Sequence, residues 1–464
     1  MIPRYLSEML YWQSQNFRGR APVRSRLQQL RDTQHFSLPE MQEYQFQKLR
    51  TVLEHAFRTI PYYQRQMKDH GITPHNFDSP DILRKLPLLK RSHLIENQES
   101  LISSEADTAT LQTNFSSGST GARARFVQDT NFRMWMRAHQ LRTYEWCADW
   151  RLGERFVLLW GSEIYWSLKS RVDSLDNFLS NRREINTFCL SPELIRQFVD
   201  RLVKFDPVLI SSYTNAMHLI AKEVERRKLS FKSLRAIQLT SEPVPPAFRS
   251  RLQSIFNCEI YDKYGSRETN IVSHESPAHD GMLIQQENVF VEILDENDHP
   301  CPAGVDGRII LTTLNNFAMP LIRYETSDIS SFMPGSSAKL PAFSRMSSVA
   351  GRLQDLIVTP NGDHVDAYFF SYLLMRFNEV DWFQVIQPDL NTLHIKLYCP
   401  RGIAEPTLDA IRERIFHHCG CHFTLTFEQL NSMPSSTTGK FRLCISELGQ
   451  QATTLAGPRM TING

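Results

Sequence analysis

The order of apolar and polar positions changes character four times along the chain. Up to about residue 110 the apolar positions recur at helical spacing. Leu38 to Arg58 is the longest such stretch, and Pro61-Tyr62-Tyr63 is expected to close it. Asn131 to Trp146 predicts an aromatic-rich helix. Phe156-Val157-Leu158-Leu159-Trp160 is a continuous apolar run, as expected of a strand covered on both faces. Strand and helix patterns then alternate: Val208 to Ile210, Asn215 to Lys228, Ala236 to Leu239, Pro246 to Phe256, Glu259 to Tyr261. From Met282 short alternating runs and tight turns replace the helices, with Phe290 to Leu294 facing Gly307 to Thr312 across a proline-containing turn. After Gly351 helix and strand patterns mix again, with a helix at Pro406 to His418 and a strand at Phe423 to Phe427.

This succession predicts an α/β fold. A large N-terminal domain, residues 1–350, carries mostly parallel sheet and a β subdomain. A small α+β C-terminal domain follows, residues 356–464, with a frayed tail from about residue 451. Ligands of an open parallel sheet bind beyond the carboxyl ends of its strands. The residues that follow those strands are therefore the candidates: Ser212-Tyr213, Ser241-Glu242-Pro243 and Tyr264-Gly265.

Composition narrows the classes. The 464 residues suffice for two or three domains. A net charge of +2 gives no electrostatic case for nucleic acid. No run approaches the roughly 18 apolar residues of a membrane span. Nor does Met1 to Arg20 have the apolar centre of a signal peptide, so the expected location is cytoplasmic. The eight cysteines are scattered and read as reduced, mostly buried thiols. His417-His418-Cys419-Gly420-Cys421-His422 looks like a metal site, but no second ligand pair stands at zinc-finger spacing. Its place at a helix-to-strand junction favours packing roles.

One stretch fits none of the regular patterns. Thr113 to Gly121 holds five hydroxyl residues and two glycines in nine positions. Such a segment cannot pack a core. Its glycine backbone can wrap an anion, and its hydroxyls can donate to phosphate oxygens. A flexible linker is the competing reading. It is not a Walker A loop, because no Gly-Lys-Ser/Thr follows. Ser116-Ser117-Gly118-Ser119-Thr120-Gly121 resembles the phosphate loop of the acyl-adenylate-forming superfamily of acyl-CoA synthetases, peptide-synthetase adenylation domains and luciferase. That loop usually continues Lys-Pro, whereas this chain continues Ala122-Arg123-Ala124-Arg125.

Five further segments resemble the superfamily's motifs, in the expected order. Ser241-Glu242-Pro243 resembles the Gly-Glu-Pro turn that lines the adenine pocket. Tyr261 to Glu268 resembles the YDIYGLSE segment, which implies that Tyr264 packs on the purine, followed by Gly265, and that Glu268 helps to hold Mg2+. Pro320 to Asp328 resembles PLIRYRTGD, which implies that Asp328 holds the ribose hydroxyls. Gly351-Arg352-Leu353-Gln354-Asp355 resembles the hinge between the two domains. Thr438-Gly439-Lys440-Phe441-Arg442, preceded by Pro434, resembles the C-terminal lysine loop. The likeness spans roughly residues 85–445, and is strongest to the phenylacetate-CoA ligase branch and its capsule-biosynthesis relatives. Pro87 to Arg91 and Thr359 to Val365 are of that type. Arg267 and Ser327 depart from it, standing for a small hydroxyl residue and a glycine.

Elementary chemistry suits these assignments. A carboxylate can accept from both hydroxyls of a ribose diol, and Mg2+ prefers hard carboxylate and phosphate oxygens. The competing readings are bland: a strand-end turn for Asp328, a surface pair with Arg267 for Glu268, a core ring for Tyr264, and solvated loops for Arg352 and Lys440. The resemblance implies an AMP-forming acid–thiol ligase that uses ATP and Mg2+. A carboxylic acid attacks the α-phosphorus, and the acyl group then passes to coenzyme A. Transfer to a carrier-protein pantetheine or an amine, and a nucleotide-binding homologue without catalysis, are the alternatives. A homodimer is a candidate assembly. The acid pocket is expected near Trp160, Tyr165, Trp166 and Tyr213, an aromatic wall suited to an aryl or other apolar acid. Some relatives carry a cysteine-rich zinc site at the position of Ser273 to His279, and the absence of cysteine there predicts no zinc.

Overall fold

The computed structural model describes residues 2–115, 124–160, 171–187, 192–242, 244–349, 357–361, 364–365, 367–374, 376–377, 379–432, 434 and 443–448. The chain begins with helices Arg4–Phe17, Pro22–Thr33, Leu38–Thr59 and Pro61–Asp69. Ser37 and Glu40 start the third with a reciprocal cap, in which the Glu40 carboxylate accepts from the Ser37 amide at 2.7 Å. Pro61 does more than close that helix: it opens the next one at its first position, where a missing N–H costs nothing.

Strands β1 (Gln112–Phe115) and β2 (Arg125–Gln128) form an antiparallel ribbon, and helix Thr130–Trp146 follows. The main sheet begins with β3 (Phe156–Trp160), β4 (Arg182–Asn186), β5 (Leu209–Tyr213), β6 (Ala236–Thr240) and β7 (Glu259–Ser266). These lie parallel in the order β4-β3-β5-β6-β7, as the alternating patterns require. Strands β8 (Asn270–Glu275) and β9 (Met282–Ile284) extend the sheet antiparallel. Strands β10 (Val289–Leu294), β11 (Gly307–Thr313) and β12 (Tyr324–Ser330) make a separate antiparallel sheet. The short β13 (Phe332–Met333) and β14 (Arg345–Met346) return to the main sheet and complete its nine strands.

Registered side chains of a parallel sheet share a face. Ile210, Ile237 and Ile260 form one such row, packed under helices Pro192–Phe205, Thr214–Arg226 and Pro246–Phe256. On the other face Phe156, Leu158, Leu209 and Ala236 meet helix Thr130–Trp146 and the N-terminal helices. A fully buried ion pair locks this second layer. Arg142 on the helix holds both carboxylate oxygens of Glu287, at 2.5 and 2.9 Å. Thr33 donates to the same carboxylate at 2.7 Å, and the Leu30 carbonyl accepts from Arg142 at 3.1 Å. Every partner here is buried, so the two charges satisfy each other away from water.

The C-terminal part comprises the hairpin β15 (Ile357–Val358) and β16 (His364–Val365) and a sheet of β17 (Trp382–Asp389), β18 (Thr392–Tyr398), β19 (Thr424–Gln429) and β20 (Cys444–Ser446). The sheet order is β19-β18-β17-β20. Helices Ala367–Leu374 and Glu405–Cys419 pack on it around Phe370, Val385, Ile395 and Ile411. The His/Cys cluster at residues 417–422 is spread over packing roles. His418 stacks on Phe369 with centroids 3.8 Å apart, His422 stacks on Phe416 at 4.1 Å, and Cys419 and Cys421 are buried in the core. Gly420 ends the helix at φ +62°. Lys222 on helix Thr214–Arg226 bridges to this part, donating to the Val380 carbonyl at 3.0 Å and pairing with Asp381. Among the described residues no helix is long and apolar enough to cross a membrane.

Candidate functional site

Three parallel strands end side by side, with Tyr213, Thr240 and Lys263 in register. Their turns are tied together. Thr214 Oγ1 donates to the Glu242 carbonyl at 3.0 Å, and Thr240 Oγ1 donates to the Lys263 carbonyl at 2.9 Å. Ser241 takes φ +81°, a left-handed conformation that costs a non-glycine residue on the order of 1 kcal/mol. Ser241 thus stands, where the resemblance has glycine, in a conformation that glycine adopts freely.

Asp328 reaches the same place from the other sheet. Arg308 pairs with Ile329 but Ile310 pairs with Glu325, so Thr326, Ser327 and Asp328 together oppose Ile309. This bulge contains Ser327 at φ +66°, again in the left-handed region where the resemblance expects glycine. Thr326 Oγ1 fastens it, donating to the Ile309 carbonyl at 3.0 Å and accepting from the Asp328 amide at 3.2 Å. The bulge re-aims the carboxylate, and Asp328 Oδ2 accepts the Tyr264 hydroxyl at 2.5 Å. Two motifs sixty-four residues apart in sequence thereby meet through one hydrogen bond.

Upstream of Asp328 the same motif is structural. Arg323, buried and at φ +54°, pairs with Glu292 and donates to the Leu86 carbonyl at 2.5 Å. Leu89 of the Pro87–Arg91 connector adds a parallel bridge to Tyr324, with its amide donating to the Arg323 carbonyl at 2.9 Å.

Gly265 follows Tyr264 where β7 and β8 slip register. A Cβ on Gly265 would stand 2.3 Å from the Asn270 carbonyl oxygen and 3.0 Å from Ile271 Cα, so only glycine fits. Glu268 lies half-buried in the turn between β7 and β8 and makes no ion pair or hydrogen bond with another described residue. The surface pair with Arg267, the competing reading for Glu268, is not formed. Instead Gln128 Nε2 donates to the Arg267 carbonyl at 2.8 Å, and Asn114 Nδ2 donates to Gln128 Oε1 at 2.8 Å. Both strands flanking the hydroxyl-rich loop are thus fastened to the turn that carries Glu268.

Tyr213 is buried against Trp160, with ring centroids 4.4 Å apart. Burial pushes its hydroxyl pKa up; Arg267 opposes that shift and Glu242 adds to it. On the opposite face burial, reinforced by nearby Glu275, pushes the Asp262 carboxyl up to about 7. Burial would raise Glu275 too, but hydrogen bonds from His279 and Arg249 outweigh it and hold that carboxyl low. Ser116 to Gly121, Pro243, Arg352, Lys440, Tyr165 and Trp166 lie outside the described residues.

The set brought together at the strand ends is Tyr213, Ser241, Glu242, Tyr264, Gly265, Glu268 and Asp328. The donor chemistry fits the groups that the motifs imply. Asp328 offers carboxylate oxygen for a diol, and Glu268, without a partner among the described residues, offers a hard oxygen for Mg2+. Sequence reasoning missed the polar residues of β6 and β7, Gln238 and Lys263. The signal at Gln238 was a polar side chain in an otherwise mostly apolar, fully buried strand; Lys263 lies among other polar residues of β7 and gave none.

Comparison with known proteins shows the family. Residues 66–319 match the AMP-binding enzyme family, and residues 357–447 match the CapK C-terminal domain. Phenylacetate-coenzyme A ligase of Escherichia coli (strain K12) is 24% identical over 332 residues, 69% of this chain and 73% of its own. Protein CapK of Staphylococcus aureus is 23% identical over 277 residues, 58% of this chain and 59% of its own. Among solved structures, 2-hydroxyisobutyryl-CoA ligase in its postadenylation state superposes with a TM-score of 0.73 at 17% identity, covering 90% of this chain and 93% of that one. The chain belongs to the AMP-binding enzyme family, in the branch of the phenylacetate-CoA ligases and CapK.

Proposed function

We propose that this protein activates a carboxylic acid with ATP, forming an acyl-adenylate and pyrophosphate, and then transfers the acyl group to the thiol of coenzyme A. The observation that carries the reading is the hydrogen bond between Tyr264 and Asp328, which joins two motif segments at the carboxyl ends of a parallel sheet.

In this reading the Asp328 carboxylate, oriented by the Tyr264 hydroxyl, accepts from the ribose hydroxyls. Tyr264 and the Ser241–Pro243 turn flank the base. The loop Ser116 to Gly121 donates to the phosphates, presented by the ribbon that Gln128 ties to the Arg267 carbonyl. Glu268 is the residue that would hold Mg2+, which neutralises phosphate charge when bound. The acid's carboxylate attacks the α-phosphorus in line, and pyrophosphate leaves. The chain's part is positioning and charge stabilisation rather than covalent chemistry. Lys440 supplies an ammonium to the α-phosphate and the attacking carboxylate. Residues 351–355 serve as a hinge about which residues 356–464 close for adenylation and turn away for the thiol. The Trp160–Tyr213 pair supports an aryl or other apolar acid body.

The test is a mass-spectrometric search for acyl-AMP formed from a library of acids, with pyrophosphate release measured in parallel. Lys440→Ala should slow adenylation by about 10²-fold or more, the scale of one preorganised charge stabiliser. It should spare thioester formation from synthetic acyl-adenylate and coenzyme A. Loss in both halves, or in neither, overturns the lysine's role. Acyl-AMP discharged by an amine or a carrier pantetheine but not by coenzyme A would reassign the acceptor.

A further inference from the structure

The large domain and the C-terminal part touch where helix Thr214–Arg226 meets the turn before β17. Each side of that contact is rigidly mounted. Met217, Ile220, Ala221 and Val224 bury the helix in the core under the large sheet. Val380 is buried in the C-terminal core, its amide donates to the Phe377 carbonyl at 3.1 Å, and the Asp381 amide donates to the Tyr398 carbonyl at 2.9 Å. The contact itself is polar. Lys222 Nζ donates to the Val380 carbonyl at 3.0 Å and pairs with Asp381. His218, buried and one turn back on the same face of the helix, also bonds the Val380 backbone. Burial takes His218 down to about 3, so its ring stays neutral and adds no charge. Burial lowers the Lys222 pKa too, and Asp381 opposes that shift. Arg401 of the C-terminal part and Arg251 of the large domain, the latter paired with Glu225 at 2.6 Å, lower it further. Asp381 is thus the anion that holds Lys222 against two cations. The side chains of Lys222 and Asp381 keep only 12% and 23% of their exposure, so water screens the pair only in part. Neither partner stands on a segment free to follow the other, so a turn of one core against the other pulls the pair apart.

We propose that Lys222 and Asp381 are positioning residues for the two-step reaction: their ion pair clasps the C-terminal part in the orientation of this structure, which serves one half-reaction, and the clasp opens for the other. The proposal rests on the acid-activating function and the hinge given above, and adds the contact that sets the balance between the two orientations. Loss of the pair shifts that balance by the strength of one part-buried charge contact, about 10-fold.

The experiment measures both half-reactions in the full chain with phenylacetate as the probe acid. Adenylation is followed as pyrophosphate release, and transfer as thioester formed from synthetic phenylacetyl-adenylate and coenzyme A. Lys222→Met, which keeps the length of the stem, and Asp381→Asn should each change the ratio of the two rates by about 10-fold, in the same direction. Combining Lys222→Asp with Asp381→Lys should bring the ratio back toward wild type. Single variants that slow both halves equally, or neither, overturn the proposal, because a contact that only supports the fold behaves that way. A second measurement needs neither a variant nor an acid. A water-soluble carbodiimide joins an ammonium to a carboxylate that touches it, and mass spectrometry of the digested wild type reads the Lys222–Asp381 cross-link. Its yield should differ several-fold between protein held with Mg·ATP and protein held with AMP and coenzyme A. Equal yields overturn the proposal, since the pair would then be a fixed joint. If phenylacetate does not react, the cross-link decides. Absence of acyl-AMP with every acid of the library would instead sink the acid-activating function, and the cross-link would still report whether the pair opens.

Discussion

Gly265→Ala should both destabilise the protein and weaken nucleotide binding. The added Cβ would lie 2.3 Å from the Asn270 carbonyl oxygen and 3.0 Å from Ile271 Cα, well inside the usual carbon–oxygen contact. Both obstacles are backbone atoms, so no side-chain rotation relieves the clash. The opposing segment is also held in place. Asn288 Nδ2 donates to the Thr269 and Ile271 carbonyls at 2.9 and 2.8 Å, and Ser266 Oγ accepts from the Thr269 amide at 3.2 Å. The two strands must therefore part by close to 1 Å, at a cost of roughly 2–4 kcal/mol, typical of forced overpacking against a rigid neighbour. A loss of that size lowers Tm by about 5 °C or more in a domain of this size. The displacement falls between Tyr264 and Glu268, so ATP affinity should drop by about 10-fold or more alongside stability. Differential scanning calorimetry and ATP titration of the same preparation check both. A variant with wild-type Tm and wild-type ATP affinity would refute the reasoning. A variant that lost stability alone would separate the bulge from the nucleotide.

Asp328→Ala should weaken ATP binding by roughly 1–3 kcal/mol, since it strands the Tyr264 hydroxyl and two ribose hydroxyls together; unchanged affinity by calorimetry would exclude the ribose role. Glu287 predicts a pH dependence of stability. Burial alone would raise its carboxyl, but Arg142 more than reverses this and holds it at about 2, against an ordinary value of 4.5. The unfolded chain thus takes up the proton first, so the contribution is complete above about pH 4.5 and is lost as pH falls toward 2. The amount at stake is on the order of 3 kcal/mol. Glu287→Gln should lose that acid sensitivity and be less stable near neutrality by about 3–5 kcal/mol, because Arg142 is left buried without its counter-charge. Urea midpoints for both proteins at pH 3 and pH 7 measure this, and parallel pH profiles would discard the assignment.

The parallel half of the main sheet was legible because β3, β5 and β6 are short apolar runs separated by helical spacing. Its edge was not. β4 reads Arg-Arg-Glu-Ile-Asn, and an edge strand with one neighbour need not be apolar. The site was legible as an ordered set of short segments, yet none of them announces its geometry. The left-handed turns at Ser241 and Ser327 were hidden because the residue that normally signals such a backbone, glycine, is absent there. The bulge that tips Asp328 toward Tyr264 depends on register with β11, a relation between strands that no local pattern encodes.

The buried Arg142–Glu287 pair has a consequence for the birth of the chain. Thr33 and Leu30, which complete its hydrogen bonding, leave the ribosome long before their partner: Thr33 precedes Glu287 by 254 residues. At elongation rates of about 5–20 residues per second, that is a wait of roughly 10–50 s. Until Tyr261 is made the apolar stripe Val23, Leu27 and Leu30 has no finished core to enter, and Arg142, once made, waits 145 residues for its counter-charge. The first helices of the nascent chain are therefore a predicted client surface for chaperones that bind during synthesis. Slowing translation between codons 33 and 287 should lower the soluble yield more than slowing it after 287.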